Sequence, residues 1–215
     1  MTKPPPSPAG PKHRATRKAA YHHGDLRRAL IEAARAILEE DGLPALSLRA
    51  VARRAGVSQA APYHHFPDRD ALLAALGAEG FDALDRAMRQ KMAGLVDPGQ
   101  RLIASGVGYV AFATANPALF QIMFGATMRG VGAHPEHSAA GARAYATLEQ
   151  AVQATLGERV GKGPATAVAC LRAWALAHGL AKLLIERGLD LARYGARDVD
   201  ELARRTLSEP FGPGL

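Results

Sequence analysis

The chain has 215 residues, of which 48% are hydrophobic, and a formal net charge of +7. This length allows a small binding module with a companion domain, or a single larger domain, and the apolar share is sufficient for a true core. A single cysteine, Cys170, excludes an intrachain disulfide framework and is typical of the reducing cytoplasm, where we expect the protein. No apolar run approaches the ~20 residues of a membrane span, and no apolar stretch follows the basic N-terminus as it would in a secretory signal.

The positive charge is concentrated in the first third of the chain. Residues 1–70 carry 12 Lys and Arg against 7 Asp and Glu, whereas residues 71–215 are close to neutral. A basic module joined to a nearly neutral one indicates polyanion binding, although a generally basic surface would give the same counts. Residues 1–22 are rich in proline and basic residues. They predict a disordered basic arm, which could contact phosphates or act only as a solubilising tail.

From residue 23 onwards, apolar residues recur at steps of three and four, which predicts helices and no strand. The expected fold class is therefore all-α, with a small unit at 23–68 and a larger one at 69–215. Gly and Pro residues mark most helix boundaries. The helices are expected at about 26–41, 47–55, 58–65, 68–93, 98–116, 117–124, 138–156, 164–187 and 197–208, with a loop at 125–137.

Residues 47–66, SLRAVARRAGVSQAAPYHHF, have the pattern of two short helices joined by a tight turn. Ser47 and Ser58 are candidate N-caps, and Gly56 suits a left-handed turn because it has no β-carbon. The second helix is slim, so its N-terminus could enter a major groove or approach a phosphate. Pro62 stands near its fourth position, where the ring would cost at most one backbone bond.

Polar side chains of this segment are candidates for contacts with nucleic acid. Gln59, His64 and His65 could meet base edges, and Tyr63 could reach a phosphate or belong in part to the core. Three cations lie on the preceding helix: Arg49, Arg53 and Arg54. Arg53 and Arg54 are either DNA contacts or part of a solvated face.

These features resemble the N-terminal domain of the TetR family of bacterial regulators over about residues 24–84. The matching positions are Ser47, Arg49, Val51 and Ala52, then Ala55 to Ser58, then Tyr63 and Phe66, then Asp68 to Asp70. The resemblance implies a helix-turn-helix that binds double-stranded operator DNA. Arg69 replaces the family's usual Lys, and Pro62 its usual aliphatic residue, so base preference does not transfer. The DNA contacts expected are Ser47, Arg49, Ser58, Gln59, Ala60, Ala61, Tyr63, His64, His65 and Arg69.

Large apolar side chains of the second unit are concentrated in two neighbouring segments and in a later helix. Trp174 and His178 are four residues apart and share a helix face. Such a cluster could enclose a small apolar ligand, or it could simply fill the core. The ligand contacts considered are Tyr109, Phe112, Phe120, Met123, Phe124, Met128, Trp174 and His178.

This unit resembles a TetR subgroup named for a Trp-x-x-x-His-Gly signature, read here at Trp174, His178 and Gly179. The resemblance implies an effector-binding domain whose last two long helices pair with those of a second copy. Two-fold pairing would place the recognition helices about one DNA turn, ~34–36 Å, apart. Packing within one chain would explain the same apolar stripes.

The function expected is that of a homodimeric repressor that binds a palindromic operator and is released by an unidentified small-molecule effector, without a cofactor. Activation of transcription and regulation without a ligand stay open. No enzyme is expected, because the sequence has no Gly-rich phosphate loop, no His-Glu-x-x-His and no Gly-x-Ser-x-Gly. A metal sensor using His134, Glu136 and His137 and a non-specific nucleoid protein are the remaining alternatives, and no metal site is expected.

Overall fold

The computed structural model of the protein describes residues 23–125, 134–157 and 163–208, with side chains from residue 26 onwards. The described residues form helices and turns without a strand, which confirms the all-α expectation. The predicted arm at 1–22 lies outside the described residues. The helices are α1 His23–Asp41, α2 Leu48–Arg54, α3 Arg69–Met92, α4 Pro98–Ala115, α5 Pro117–Phe124, α6 Pro135–Leu156, α7 Pro164–Arg187 and α8 Val199–Ser208, with 3₁₀ turns at Leu43–Ala45, Ala61–His64 and Leu191–Tyr194.

Prolines begin half of these helices. The first N–H groups of a helix have no acceptor within it, so a proline at the first position loses no hydrogen bond. The sequence predicted such starts at Pro98, Pro117 and Pro164, and the structure has them there. The predicted start of α6 at Ser138 was three residues late, since α6 begins at Pro135 by the same rule.

The N-terminal core lies between α1, α2 and the first turns of α3. Leu30 and Ile37 of α1 and Val51 of α2 are buried, and Phe66 is only 2% exposed. Asp68 begins α3 by accepting a hydrogen bond from the backbone N–H of Ala71 at 2.8 Å. The apolar side chains of this core therefore fix the helix-turn-helix to the start of α3.

α3 continues from this core into the C-terminal bundle. Residues 72–78 of α3 are all buried, without an exception. Phe81, Leu84 and Met88 extend the apolar stripe towards α4 and α6. α5 crosses α3 and also contacts α1. One helix thus belongs to both packed regions.

α7 buries one face and exposes the other. Cys170, Ala177 and Ala181 are buried, which confirms that the cysteine is a small core residue. By length and composition α7 could also cross a membrane, so the expectation that no stretch approaches that length was wrong for this helix. Only 22% of its most apolar window is buried inside the chain. An apolar helix so exposed has a surface that favours a partner.

The crossing of α4 over α3 should not tolerate a side chain at Gly108. A β-carbon there would lie 2.7 Å from the carbonyl oxygen of Ala87 and 2.9 Å from Cα of Met88. Backbone cannot move aside as a side-chain end can, so we expect Gly108→Ala to lower the free energy of unfolding by about 1–3 kcal/mol despite the better helix propensity of alanine. Urea unfolding followed by circular dichroism measures this change in the free energy of unfolding.

Gly106→Ala is the matched control, because a β-carbon there would crowd only the side chain of Leu207. Equal stability of the two variants would mean that the close backbone approach at Gly108 is not a constraint.

Candidate DNA interface and ligand cavity

The helix-turn-helix begins at Ser47, whose hydroxyl accepts a hydrogen bond from the N–H of Ala50 at 3.2 Å. α2 ends at Arg54, and Gly56 follows with φ of +69°, as the turn requires. The N–H of Val57 then bonds to the carbonyl of Ala52 at 3.0 Å, which closes the turn. The predicted cap at Ser47 and turn at Gly56 are both confirmed.

The predicted α-helix at 58–65 was wrong. The segment, called here the recognition segment, consists of a turn followed by the 3₁₀ turn Ala61–His64. The N–H of Ala61 bonds to the carbonyl of Ser58, and that of Tyr63 to Ala60, both three residues back. Pro62 has no N–H, and in an α-helix its ring would crowd the carbonyl of Ser58. The 3₁₀ turn has its N-cap at Ala60 without a side-chain bond, so Ser58 is not the predicted cap.

Most residues expected to contact DNA are exposed to solvent. Tyr63 is 51% exposed although Pro62 and Phe66 on either side of it are buried, so the tyrosine ring projects outwards. Ala61 and His65 are half-buried. The other exposed members are Ser47, Arg49, Ser58, Gln59, Ala60 and His64.

Arg69 has a structural role that the sequence did not reveal. Its Nε donates to the carbonyl of Leu46 at 2.8 Å and its Nη2 to the carbonyl of Leu43 at 2.9 Å. The side chain is half-buried and fixes the segment before α2 to the start of α3. A lysine would have to reach both carbonyls from its single Nζ, so it could not reproduce this bonding from two nitrogens. Contact with a phosphate therefore falls to the remaining N–H groups.

The cations of α2 differ from one another. Arg54 forms an ion pair with Glu40 of α1, and that bond lowers the pKa of the Glu40 carboxyl. Arg49 and Arg53 are exposed, and Arg49 lies in the first turn of α2. Arg49 is thus the better candidate for a phosphate, and Arg54 serves mainly the contact between α1 and α2.

A cavity of about 300 Å³ lies in the C-terminal bundle. This volume is at the low end of the range of ~300–1,000 Å³ typical of small-molecule sites. No charged side chain is among the described residues of its walls. The lining residues are Phe81, Leu84 and Met88 of α3, Leu102, Ile103, Ser105, Gly106 and Tyr109 of α4, Phe124 of α5, Gly141, Ala144, Tyr145 and Leu148 of α6, Ala173, Trp174, Leu176 and Ala177 of α7, and Leu207 of α8.

Three of the residues considered as ligand contacts line this cavity: Tyr109, Phe124 and Trp174. Phe112, Phe120 and Met123 are buried in the core without lining it, and Met128 lies outside the described residues. His178 does not line the cavity, but it is bonded to the hydroxyl of Tyr109, which does. Sequence reasoning missed the contributions of α3 and α6, whose aliphatic residues have the spacing of any core helix.

An aromatic cluster forms one end of the cavity. The hydroxyl of Tyr109 and Nδ1 of His178 are joined by a hydrogen bond of 2.8 Å. Phe124 packs edge-on against His178 with ring centroids 5.0 Å apart. Burial raises the pKa of Tyr109, and burial, with a smaller effect of Lys182, lowers the pKa of His178. Both rings are therefore uncharged at neutral pH.

His137 is the other histidine of this region. It is buried edge-on against Phe81, and its Nε2 has no hydrogen-bond partner among the described residues. Burial lowers its pKa. The neighbouring Glu136 pairs with Arg27 of α1 at 2.7 Å. Among the described residues no three His, Cys, Asp or Glu side chains are placed to hold a metal ion.

Two family models match the chain. Residues 30–76 match the one described as "Bacterial regulatory proteins, tetR family", and residues 102–209, half of the chain, match "Tetracyclin repressor-like, C-terminal domain". The chain belongs to the TetR family. This family consists of DNA-binding transcriptional regulators, and the first match spans α2 and the recognition segment.

Individual relatives agree with this assignment. The HTH-type transcriptional regulators Mb1846 of Mycobacterium bovis and Rv1816 of Mycobacterium tuberculosis are each 32% identical over 114 residues, 51% of this chain and 48% of theirs. The alignment thus spans about half the length of these curated relatives. A solved Rhodococcus sp. RHA1 protein of unknown function is 36% identical, with 89% of this chain and 97% of that one covered and a TM-score of 0.67. The TetR-family regulator PfmR of Thermus thermophilus shares the fold, at 20% identity, with 82% and 93% covered and a TM-score of 0.57.

Arg69→Ala should destabilise the protein in the absence of DNA. The change leaves the carbonyls of Leu43 and Leu46 without their donors, so we expect the free energy of unfolding to fall by about 1–3 kcal/mol. Arg49→Ala is the control, because this exposed cation should alter stability by less than about 0.5 kcal/mol. Thermal unfolding of both variants measures it. Equal melting curves would show that the two carbonyl bonds add nothing.

Proposed function

We propose that the protein is a homodimeric transcriptional repressor that binds a palindromic operator and releases it when a small molecule enters the C-terminal cavity. The observation that carries the proposal is the pairing of two features in one chain. An exposed recognition segment is fixed to α3, and α3 also lines an apolar cavity. We propose repression, and an activator of the same fold would use the same contacts with DNA.

The DNA-binding part of the proposal rests on the outward side chains of the recognition segment. Gln59 and His64 are exposed, and they are side chains that can hydrogen-bond base edges in a major groove. Arg49 and Tyr63 are also exposed, and a guanidinium and a phenol hydroxyl are groups that bind the phosphates of a duplex. Pro62 makes the segment a tighter turn than the α-helix expected of the family. The base contacts must therefore come from few residues.

The homodimer rests on the exposed face of α7. Val168, Leu171 and Leu183 are 53%, 55% and 50% exposed on a helix whose other face is buried. Gly179 lies on the same face, and a β-carbon there would meet no atom within 4 Å. A glycine inside a helix costs about 1 kcal/mol relative to alanine, and the described chain offers no close contact that requires it. If the same face of a second copy packed here, the exposed apolar side chains would be buried and Gly179 would allow a close approach of the two helices.

Release by a ligand rests on the contacts between α3 and its neighbours. Phe81, Leu84 and Met88 line the cavity, and Arg69 at the start of the same helix bonds to the segment before α2. α1 is also linked to the bundle, because Arg27 pairs with Glu136. A ligand that favours one position of α3 would shift the recognition segment, with a coupling of typically ~1–3 kcal/mol.

Single substitutions should separate phosphate contacts from base contacts. We expect Arg49→Ala to weaken binding to operator and random duplexes alike and to lower the slope of log affinity against log salt by about 1. Gln59→Ala should instead change the ranking of operator variants. Fluorescence anisotropy with duplexes containing inverted repeats from upstream of the protein's own gene measures both effects.

Arg86→Ala is the control for charge, since this exposed arginine lies on α3 well away from the recognition segment. If wild-type protein bound inverted-repeat and random duplexes equally, a non-specific nucleoid protein would replace the proposed repressor.

A charge on the exposed face of α7 should dissociate the dimer. We expect Leu171→Glu to yield monomers at concentrations where the wild type sediments as a dimer, because the carboxylate would be buried without a partner. Val96→Glu is the control, as Val96 is exposed in the connection between α3 and α4. Sedimentation velocity measures the mass. A dimer that survives Leu171→Glu would place the interface elsewhere.

A further inference from the structure

The cavity has an aromatic end and an aliphatic end. At the aromatic end, the ring of Phe124 lies 5.2 Å from that of Phe81 and 6.4 Å from that of Trp174. Tyr109 joins them, with its ring 6.3 Å from that of Phe124. Rings at these separations are packed against one another, and the cluster presents its remaining faces and edges to the cavity, where the ring of a ligand could pack against them.

The aliphatic end lies further along the same helices. Met88 is seven residues beyond Phe81 on α3, which is about 10 Å at ~1.5 Å per residue. α6 runs alongside in the same direction, since Arg143 pairs with Asp82 and Thr147 bonds to Asp85. Leu148 of α6 therefore lies towards the same end as Met88. The lining residues therefore extend over about 10 Å along these helices, and their character changes from aromatic to aliphatic over that distance.

The lining offers hydrogen bonds only from neutral groups. The hydroxyl of Ser105 donates to the carbonyl of Leu102 at 2.7 Å and keeps its lone pairs. The hydroxyl of Tyr109 bonds to His178 and has the indole of Trp174 as a second partner, which leaves one position for a bond to a ligand. None of the described residues that line the wall is an Asp, Glu, Lys, Arg or His. An ion held against these residues would give up part of its hydration and gain no charged partner among them.

We propose that the cavity binds an uncharged, elongated molecule with an aromatic head, which bonds to the Tyr109 hydroxyl through one hydroxyl or carbonyl group, and an aliphatic tail that lies between Met88 and Leu148. This assignment deepens the proposed function, since it names the chemical class of its effector. It excludes carboxylates and ammonium ions as the enclosed group.

The single tryptophan of the chain, Trp174, lines the aromatic end and reports binding at this place alone. Three probes share one skeleton and differ in charge: para-butylphenol, para-butylbenzoate and para-butylbenzylammonium. Titration calorimetry of the full chain, with Trp174 emission in parallel, should give an affinity for para-butylphenol at least about tenfold higher than for either ion. Equal affinities, a preference for an ion or no binding of the phenol would each overturn the assignment.

Variants locate the probe within the cavity. Ala144→Met fills the wall of α6 and should abolish binding of para-butylphenol, whereas Ala142→Met, on the exposed side of α6, should leave it unchanged. Binding that survives Ala144→Met in a folded variant would overturn the location.

Tyr109→Phe tests the hydrogen bond. It should weaken para-butylphenol severalfold and leave para-butyltoluene, which lacks the hydroxyl, unaffected. Equal losses for both probes would mean that Tyr109 acts by packing alone and would overturn its assigned bond.

Operator release is measured separately, by adding para-butylphenol to the protein–DNA complex. If the phenol binds at Trp174 but the complex persists, the ligand class stands and the proposed ligand-released repressor fails. If the phenol does not bind at Trp174, the ligand class fails while operator binding in its absence is unaffected.

Discussion

The continuity of α3 is the constraint on which the rest of the structure depends. Its 24 residues pass from the core beneath the helix-turn-helix to the wall of the cavity without a break. A helix of this length is about 36 Å long and resists bending because every turn is hydrogen-bonded. The buried run 72–78 fixes it on one side, and Arg69 fixes it to the backbone before α2. This continuity is what would carry a movement from one end of α3 to the other in the proposed mechanism.

The sequence predicted the helical architecture because helix boundaries are local. Proline, glycine and capping side chains act within one turn and mark where helices begin and end. The apolar periodicity predicts the helical segments between these boundaries. The recognition segment was mispredicted for an equally local reason. In an α-helix the ring of Pro62 would clash with the carbonyl four residues earlier, which favours a 3₁₀ turn. The spacing of apolar residues contains no information about this clash. The role of Arg69 was beyond the sequence, since its carbonyl acceptors lie more than twenty residues away.

The cavity shows the limit of sequence reasoning most clearly. Aromatic residues drew attention to α4, α5 and α7, and Tyr109, Phe124 and Trp174 do line the space. Leu84 and Leu148 line it as well, but a leucine beside a cavity and a leucine in a filled core have the same spacing along a helix. Phe112 and Phe120, chosen by the same criterion as Tyr109, are buried without lining the space, and Phe120 packs behind Tyr109 and Phe124. Only the relative placement of the helices distinguishes these cases.

If the uncovered apolar face of α7 pairs two chains in the proposed homodimer, it would tie the behaviour of this protein to its abundance. In a homodimer the fraction of paired chains rises with protomer concentration, and folding stability rises with it. A cell that makes few copies would hold mostly single chains, each with one recognition segment and an apolar helix open to proteases and unintended partners. As synthesis increases, occupancy of a two-fold DNA site would climb more steeply than the chain count itself. Gene dosage would thus act as a second input beside any small molecule.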